Sequence, residues 1–155
     1  MISAVDTNVL LDVLIEGAVH AAEAEAALEE AHAGGPVVIS EVAYAELVAF
    51  FDSPERTDSF LKTVDIRVSD SPRQAWELAG QAWRSYAAGR TTALECSTCG
   101  RRRALHCDRC GAPLRSRQHL LTDFVIGAHA QSTADRLLTR DVAFFNRHFP
   151  ALSVS

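Results

Sequence analysis

The sequence predicts an α/β domain of three layers, a central parallel β-sheet flanked on both faces by helices. Three observations predict it. Short apolar runs alternate along the chain with longer stretches of helical periodicity, the signature of βαβ units. The 155 residues, 48% hydrophobic and 23% charged, suffice for one compact core and are too few for two independent ones. The chain contains no internal repeat. It is therefore expected to be a single domain over residues 1–155, with residues 92–114 as an insertion.

The first strand is expected at Ile2 to Val5, ending at Asp6-Thr7-Asn8 before the helical pattern Val9, Leu10, Val13, Leu14. An Ala/Glu-rich helix from about Val19 to His32 is stopped by Gly34-Gly35-Pro36. Val37 to Ile39 is the second strand, and Ser40 caps a helix running to Phe51. Ser53-Pro54 breaks that helix, and a short one leads to a third strand at Val64 to Val68. Ser71-Pro72 opens a helix to about Ala88 in which Trp76, Ala79 and Trp83 share one face, for core or dimer packing. Leu120 to Gln131 is helical, Arg136 to Thr139 the fourth strand, Val142 to His148 a helix and Ala151 to Val154 the fifth strand.

Charge is divided unevenly. Six arginines (Arg101, Arg102, Arg103, Arg109, Arg115 and Arg117) against one acid, Asp108, make the stretch from Cys96 to Gln118 +5, so with −5 overall the remainder carries −10. An acidic body with a basic appendage points to an anionic partner, with nucleic acid the first candidate. The N-terminus lacks a basic leader and holds Asp6 and Asp12, and no apolar run reaches the ~20 residues of a membrane span. A cytoplasmic protein with no membrane partner is the expectation.

Four acids stand where a ligand site would form. In open parallel sheets ligands gather beyond the carboxyl ends of the strands, which is where Asp6 and Asp141 fall, although Asp is also a good helix N-cap. Glu46 is the one charge in the apolar stretch from Val42 to Phe51, so it is expected in a helix buried on nearly every side, where an unpaired carboxylate costs several kcal/mol. An arginine partner or a thin exposed edge would also accommodate it. Glu41, in the first turn, simply complements the helix dipole. Asp123 repeats the anomaly between Leu120 and Ala128, with an N-cap role for it or Thr122 as the alternative. Carboxylate clusters of this kind bind Mg²⁺ or Mn²⁺.

Four segments, AVDTNVLLD, ISEVAYAEL, LLTDFVIGAHA and LLTRDVAFF, resemble in order and spacing the PIN-domain nucleases, and within them the VapC-type toxins. The resemblance covers the chain except for the insertion. It implies a PIN-like fold, metal-binding and catalytic roles for Asp6, Glu46, Asp123 and Asp141, and supporting hydrogen bonds from Asn8 and Thr139; Ser40 is read as a cap. It implies RNA as the substrate, one or two Mg²⁺ or Mn²⁺ ions, and an antitoxin protein as a partner, with a homodimer as a further expectation. Water attack would leave 5′-phosphate and 3′-hydroxyl ends, with Glu46 either coordinating or acting as general base.

Cys96, Cys99, Cys107 and Cys110 form two C-x-x-C pairs with seven residues between them, and Gly100 and Gly111 follow the pairs directly. Such an S₄ set predicts a structural Zn²⁺ ribbon with no open coordination position. A redox dithiol, or His106 replacing one cysteine, are the other readings. Four thiolates with Zn²⁺ lower the insert from +5 to about +3, still basic enough for its six arginines to contact RNA several nucleotides from the cut; solvation of an exposed loop is the plainer account. His20, His32, His129 and His148 show no ligand spacing. A housekeeping RNA-processing nuclease and a non-catalytic RNA-binding module are the competing functions.

Overall fold

The computed structural model describes residues 1–89, 93–95, 102–114 and 119–155. In chain order the elements are β1 (Ser3–Val5), α1 (Thr7–Leu14), α2 (Ala21–Gly34), β2 (Val37–Ser40), α3 (Glu41–Phe51), α4 (Pro54–Thr63), β3 (Ile66–Ser69) and α5 (Arg73–Ala88). The insert holds β4 (Ala93–Glu95), β5 (Arg102–His106) and β6 (Pro113–Leu114). The chain then continues through α6 (Leu121–Thr133), β7 (Arg136–Leu138), α7 (Val142–His148) and β8 (Ser153–Val154).

Five strands form one sheet in the order β3-β2-β1-β7-β8, with every neighbouring pair parallel. Successive residues of a strand point to opposite faces, and that alternation divides the core in two. Val5, Val37, Ile39 and Leu138 pack with Val9, Leu10, Ala24, Ala43, Leu47 and Leu61 of the α1–α4 layer. Ala4, Val38 and Leu137 pack on the other side with Ala75 and Ala79 of α5, Phe124 to Ala128 of α6, and Phe144 and Phe145 of α7. Strands buried on both faces need continuous apolar sequence, which is why Val37-Val38-Ile39 reads as an unbroken run. β4, β5 and β6 pair antiparallel in a separate three-stranded sheet, so the insertion interrupts the alternation without joining the main sheet.

Several boundaries and environments differ from expectation. The third strand begins at Ile66, not Val64, because Asp65 adopts a left-handed φ of 49° that a strand cannot contain. Helix α2 begins at Ala21 and leaves Val19 91% exposed. Helix α3 is not buried all round: only Ala43 and Leu47 are fully covered, and Phe50 is 44% exposed. As an outer layer it shows one face to the sheet and shares part of another with α4, where Phe51 meets Phe60 at 5.6 Å. The two tryptophans also part company. Trp83 packs edge-on against Phe124, while Trp76 is half-exposed and donates its indole N–H to the Ser71 carbonyl. No described helix is long and apolar enough to cross a membrane.

Helix α6 is the centre of the second core, buried continuously from Phe124 to Ala130. Gly127 lets α7 approach it: a Cβ there would stand 2.4 Å from Cε2 and 2.6 Å from Cδ2 of Phe149. Gly127→Ala is therefore expected to lower the unfolding free energy by roughly 1–3 kcal/mol, overpacking exceeding the ~1 kcal/mol that alanine gains as a helix former. Urea unfolding of the variant measures this, and an unchanged midpoint contradicts the packing described.

Candidate active site

Strand order reverses between β1 and β7, and in a parallel sheet the crevice beyond that point is where ligands sit. Asp6 follows β1 directly and Thr139 follows β7 directly, so pairing of those strands brings residues 133 positions apart into contact. Thr139 Oγ1 donates to Asp6 Oδ2 at 2.6 Å, and Asn8 Nδ2 donates to the same oxygen at 2.6 Å. Asn8 Nδ2 also reaches Thr139 Oγ1 at 3.2 Å, and that hydroxyl accepts from the Asp141 backbone N–H at 3.1 Å. The Arg140 N–H bonds Asn8 Oδ1 at 3.2 Å. The D-T-N and T-R-D turns are thereby fastened to each other around one carboxylate.

Asp6, Glu46, Asp123 and Asp141 all line a single pocket of about 370 Å³, with Thr7, Asn8, Leu11, Phe144 and Phe145 as the remaining walls. Glu46 comes from α3 and accepts a hydrogen bond from Thr7 Oγ1. Asp123, in the first turn of α6, reaches back to the Leu120 N–H at 2.6 Å, and Asp141 caps α7 by accepting from the Phe144 N–H at 3.3 Å. The helix-terminal roles considered for these two acids and their places on the pocket wall are thus compatible. Ser40 caps α3 through the Ala43 N–H. Glu41 does more than face a helix dipole: it accepts from both the N–H and the hydroxyl of Ser71, whose oxygen also meets Nδ1 of the buried His129 at 3.0 Å.

The pocket is short of positive charge. Burial pushes the Asp6 carboxyl up from 3.8 to about 6, and the charges of Asp123 and Glu46 add to that push; the bonds from Thr139 and the Asn8 N–H act against it without cancelling it. Asp123 is likewise raised, first by burial and also by Asp141, against the Leu120 N–H and His119. Oxygen donors opposed by their own neighbours fit a hard divalent cation, which removes that opposition. Among the described residues no three His, Cys, Asp or Glu side chains are already gathered about one point. The acids surround a space rather than a coordinate. A larger cleft of about 500 Å³ lies elsewhere, against Val13, Leu28, Val64 and Ile66, and contains none of the four acids.

The insert is only partly described. Cys96, Cys99, Arg101, Arg115 and Arg117 lie outside the described residues, as does the side chain of Arg102. Arg103, Arg109 and Cys110 are exposed. At the second cysteine pair, Cys107 N–H bonds the Ala112 carbonyl and the Gly111 N–H bonds the Cys107 carbonyl, both at 2.8 Å, with Gly111 at φ +70°. Backbone N–H groups of Cys110 and Arg109 face the Cys107 sulfur and hold its thiol below the ordinary range.

Sequence reasoning passed over two features. Asp12 is buried in α1, with Arg140 Nε 2.9 Å from its Oδ2. The signal was there, because a lone acid between Leu11 and Val13 is the same anomaly that drew attention to Glu46. His119 stands with Nδ1 3.7 Å from Asp141 Oδ2 and 3.8 Å from Asp123 Oδ2. No periodicity marks it, since it precedes α6 in irregular chain.

The PIN domain family matches residues 4–149. Among solved structures, the VapBC2 complex of Rickettsia felis bound to promoter DNA contains a chain with TM-score 0.61 and 18% identity, covering 100% of this chain and 98% of that one. VapBC-1 of nontypeable Haemophilus influenzae gives TM-score 0.60 at 19% identity, covering 100% and 97%. VapC20 of Mycobacterium tuberculosis, described as a sarcin–ricin-loop-cleaving toxin, gives 0.51 at 14%, covering 92% and 93%. At these identities the likeness is one of fold. No curated protein matches the sequence.

The raised Asp6 carboxyl fixes a pH dependence. The folded state holds this proton more tightly than the unfolded chain, so stability falls as pH rises from about 4 to about 6 and the loss is complete above that. In chelator, Asp6→Asn should remove this loss: relative to the parent it gains on the order of 2–3 kcal/mol between pH 4 and pH 7. Urea unfolding of both proteins across that range tests it, and a constant difference refutes it.

Proposed function

The chain belongs to the PIN-domain family, and from that premise we propose that it is a divalent-metal-dependent endoribonuclease of the VapC toxin type. The observation that carries the proposal is the convergence of four carboxylates on one pocket, with Asp6 buried among them and resisting ionisation. Asp6, Asp123 and Asp141 would hold one or two Mg²⁺ or Mn²⁺ ions, with Glu46 completing the set. When bound, such ions activate water and neutralise the charge that develops on the phosphate oxygens.

The chain's own residues supply the rest. Asn8 and Thr139 both donate to Oδ2 of Asp6 and so orient a carboxylate that lines the pocket. Glu46, which accepts a hydrogen bond from Thr7, would take the proton from an attacking water. Water attack leaves a 5′-phosphate and a 3′-hydroxyl. The buried Asp12 holds Arg140 beside the turn that carries Asp141.

A toxin is held by an antitoxin, so the proposal includes a protein partner; the complexes of similar fold from Rickettsia felis and Haemophilus influenzae are VapBC pairs. The insert is proposed to be a structural zinc ribbon on Cys96, Cys99, Cys107 and Cys110, its arginines gripping RNA away from the cut. The amide groups turned toward Cys107 support a thiolate there.

Asp6→Asn, Asp123→Asn and Asp141→Asn should each lower the rate of RNA cleavage with Mn²⁺ by at least about a hundredfold while remaining folded. Labelled single-stranded and structured RNAs, with chelator as the control and mapped ends, provide the measurement. Full activity in Asp6→Asn, free of contaminating nuclease, refutes the mechanism. Elemental analysis should find one zinc per chain, lost in Cys107→Ser. Replacing residues 92–113 by a short linker should weaken RNA binding, most strongly at low salt, and spare cleavage chemistry; unchanged affinity refutes the RNA-contact role.

A further inference from the structure

The T-R-D turn contributes to two pockets. Asp141 lines the acid pocket, while Thr139 and Arg140 line a second one, also of about 370 Å³. The second pocket has an apolar lining of Val9, Ala24, Leu138 and Val142. Each of its acids faces a basic side chain: Asp12 has Arg140, and Glu23 has His20 Nδ1 at 2.9 Å. Unlike the acid pocket, it does not oppose an anion with unmatched carboxylates.

Arg140 is held there without being used up. Its Nε stands 2.9 Å from Asp12 Oδ2; the aspartate side chain is 8% exposed and the arginine side chain 48%. The attraction is ionic rather than a directed hydrogen bond, because Oδ2 has no aligned donor. The backbone is fixed by the Arg140 N–H on Asn8 Oδ1 at 3.2 Å, yet among the described residues the guanidinium itself makes no hydrogen bond. A planar fork of N–H donors is therefore left for a ligand, and two of its donors match two oxygens of one phosphate.

We propose that Arg140, presented by Asp12, binds a backbone phosphate of RNA adjoining the one in the acid pocket, with the attached nucleoside against the apolar lining of the second pocket. This rests on the ribonuclease reading above and deepens it, naming a contact that grips the substrate without touching a metal. Arg140 and Asp141 are consecutive, with Cα atoms about 3.8 Å apart, so a strand crossing the turn meets both. Asp12 acts through the arginine: a guanidinium already ordered by a buried carboxylate has less freedom to lose when the phosphate arrives.

Fluorescence anisotropy of the full chain with labelled single-stranded RNA, in chelator to prevent cleavage, tests the contact. Arg140→Gln should weaken binding about tenfold, and Arg140→Lys, which keeps the charge without the fork, about threefold. Asp12→Asn separates a presented contact from diffuse attraction. It makes the protein one charge more positive, so diffuse attraction gives tighter binding, whereas lost presentation gives binding about threefold weaker. The double variant Asp12→Asn/Arg140→Gln leaves no unpaired buried charge and should fold as the parent does while binding as weakly as Arg140→Gln. In cleavage with Mn²⁺, Arg140→Gln should raise KM about tenfold and lower kcat less than about threefold. Unchanged affinity in both arginine variants, equal or tighter binding in Asp12→Asn, or a fall confined to kcat overturns the assignment and leaves the ribonuclease reading standing. A parent protein that neither binds nor cleaves RNA takes both down.

Discussion

The structure around the crevice depends on burying one carboxylate. Asp6 is 7% exposed at the end of a central strand, with two neighbouring acids opposing its charge. Left to itself such a group would cost several kcal/mol. Two short hydrogen bonds, from Asn8 and Thr139, offset part of that cost. Those same bonds require β1 and β7 to lie side by side, since Thr139 directly follows β7. Strand order and carboxylate position are thus two statements of one constraint, and neither can change without the other.

The remaining acids are held by backbone rather than by each other. Asp123 occupies the Leu120 N–H and Asp141 the Phe144 N–H, so each is fixed at a helix start by a bond that does not depend on the pocket. Acids at helix N-termini are favoured by the helix dipole, and two helices therefore bring carboxylates to the crevice, although burial and the neighbouring Asp141 oppose the charge of Asp123. Glu46 comes from the middle of α3 and lacks that support, which is why the Thr7 hydroxyl matters to it. The pocket is built from local helix chemistry plus two carboxylates whose charge is opposed by burial, Asp6 at the switch point and Asp123 at the start of α6.

Much of this was legible in the sequence, because strands buried on both faces announce themselves as unbroken apolar runs and because Gly34-Gly35-Pro36 and Ser53-Pro54 end helices chemically. The five strands of the main sheet follow from those signals. Glu46 lines the pocket, but its helix is an outer layer with Phe50 exposed, so apolar composition overstated burial. Val64 was drawn into a strand by its side chain, and the left-handed backbone at Asp65 decided otherwise. His119 and the Glu41–Ser71–His129 contacts join elements distant in sequence through side chains with no periodic pattern, and such contacts exist only once the helices have packed.

If the chain acts on RNA as proposed, the division of charge along the sequence has a physical consequence. A body carrying −10 repels a polyanion, and cations bound in a crevice would relieve that repulsion only within roughly 8–10 Å at ordinary ionic strength. A polyanionic substrate approaching from solution would meet the long-range field first, and the arginine-rich stretch of the sequence would supply attraction where an acidic pocket cannot. Placing those arginines within the pocket would instead pair them with the carboxylates and remove the charge on which the proposed metal depends. Asp12 and Arg140 illustrate the local version of this rule: the one arginine of the T-R-D turn is tied to a separate buried acid, and so does not neutralise Asp6 or Asp141. On the proposed function, separation of the two charges, one kept in the crevice and one carried on an appendage, would let a single small domain both attract RNA and retain a metal.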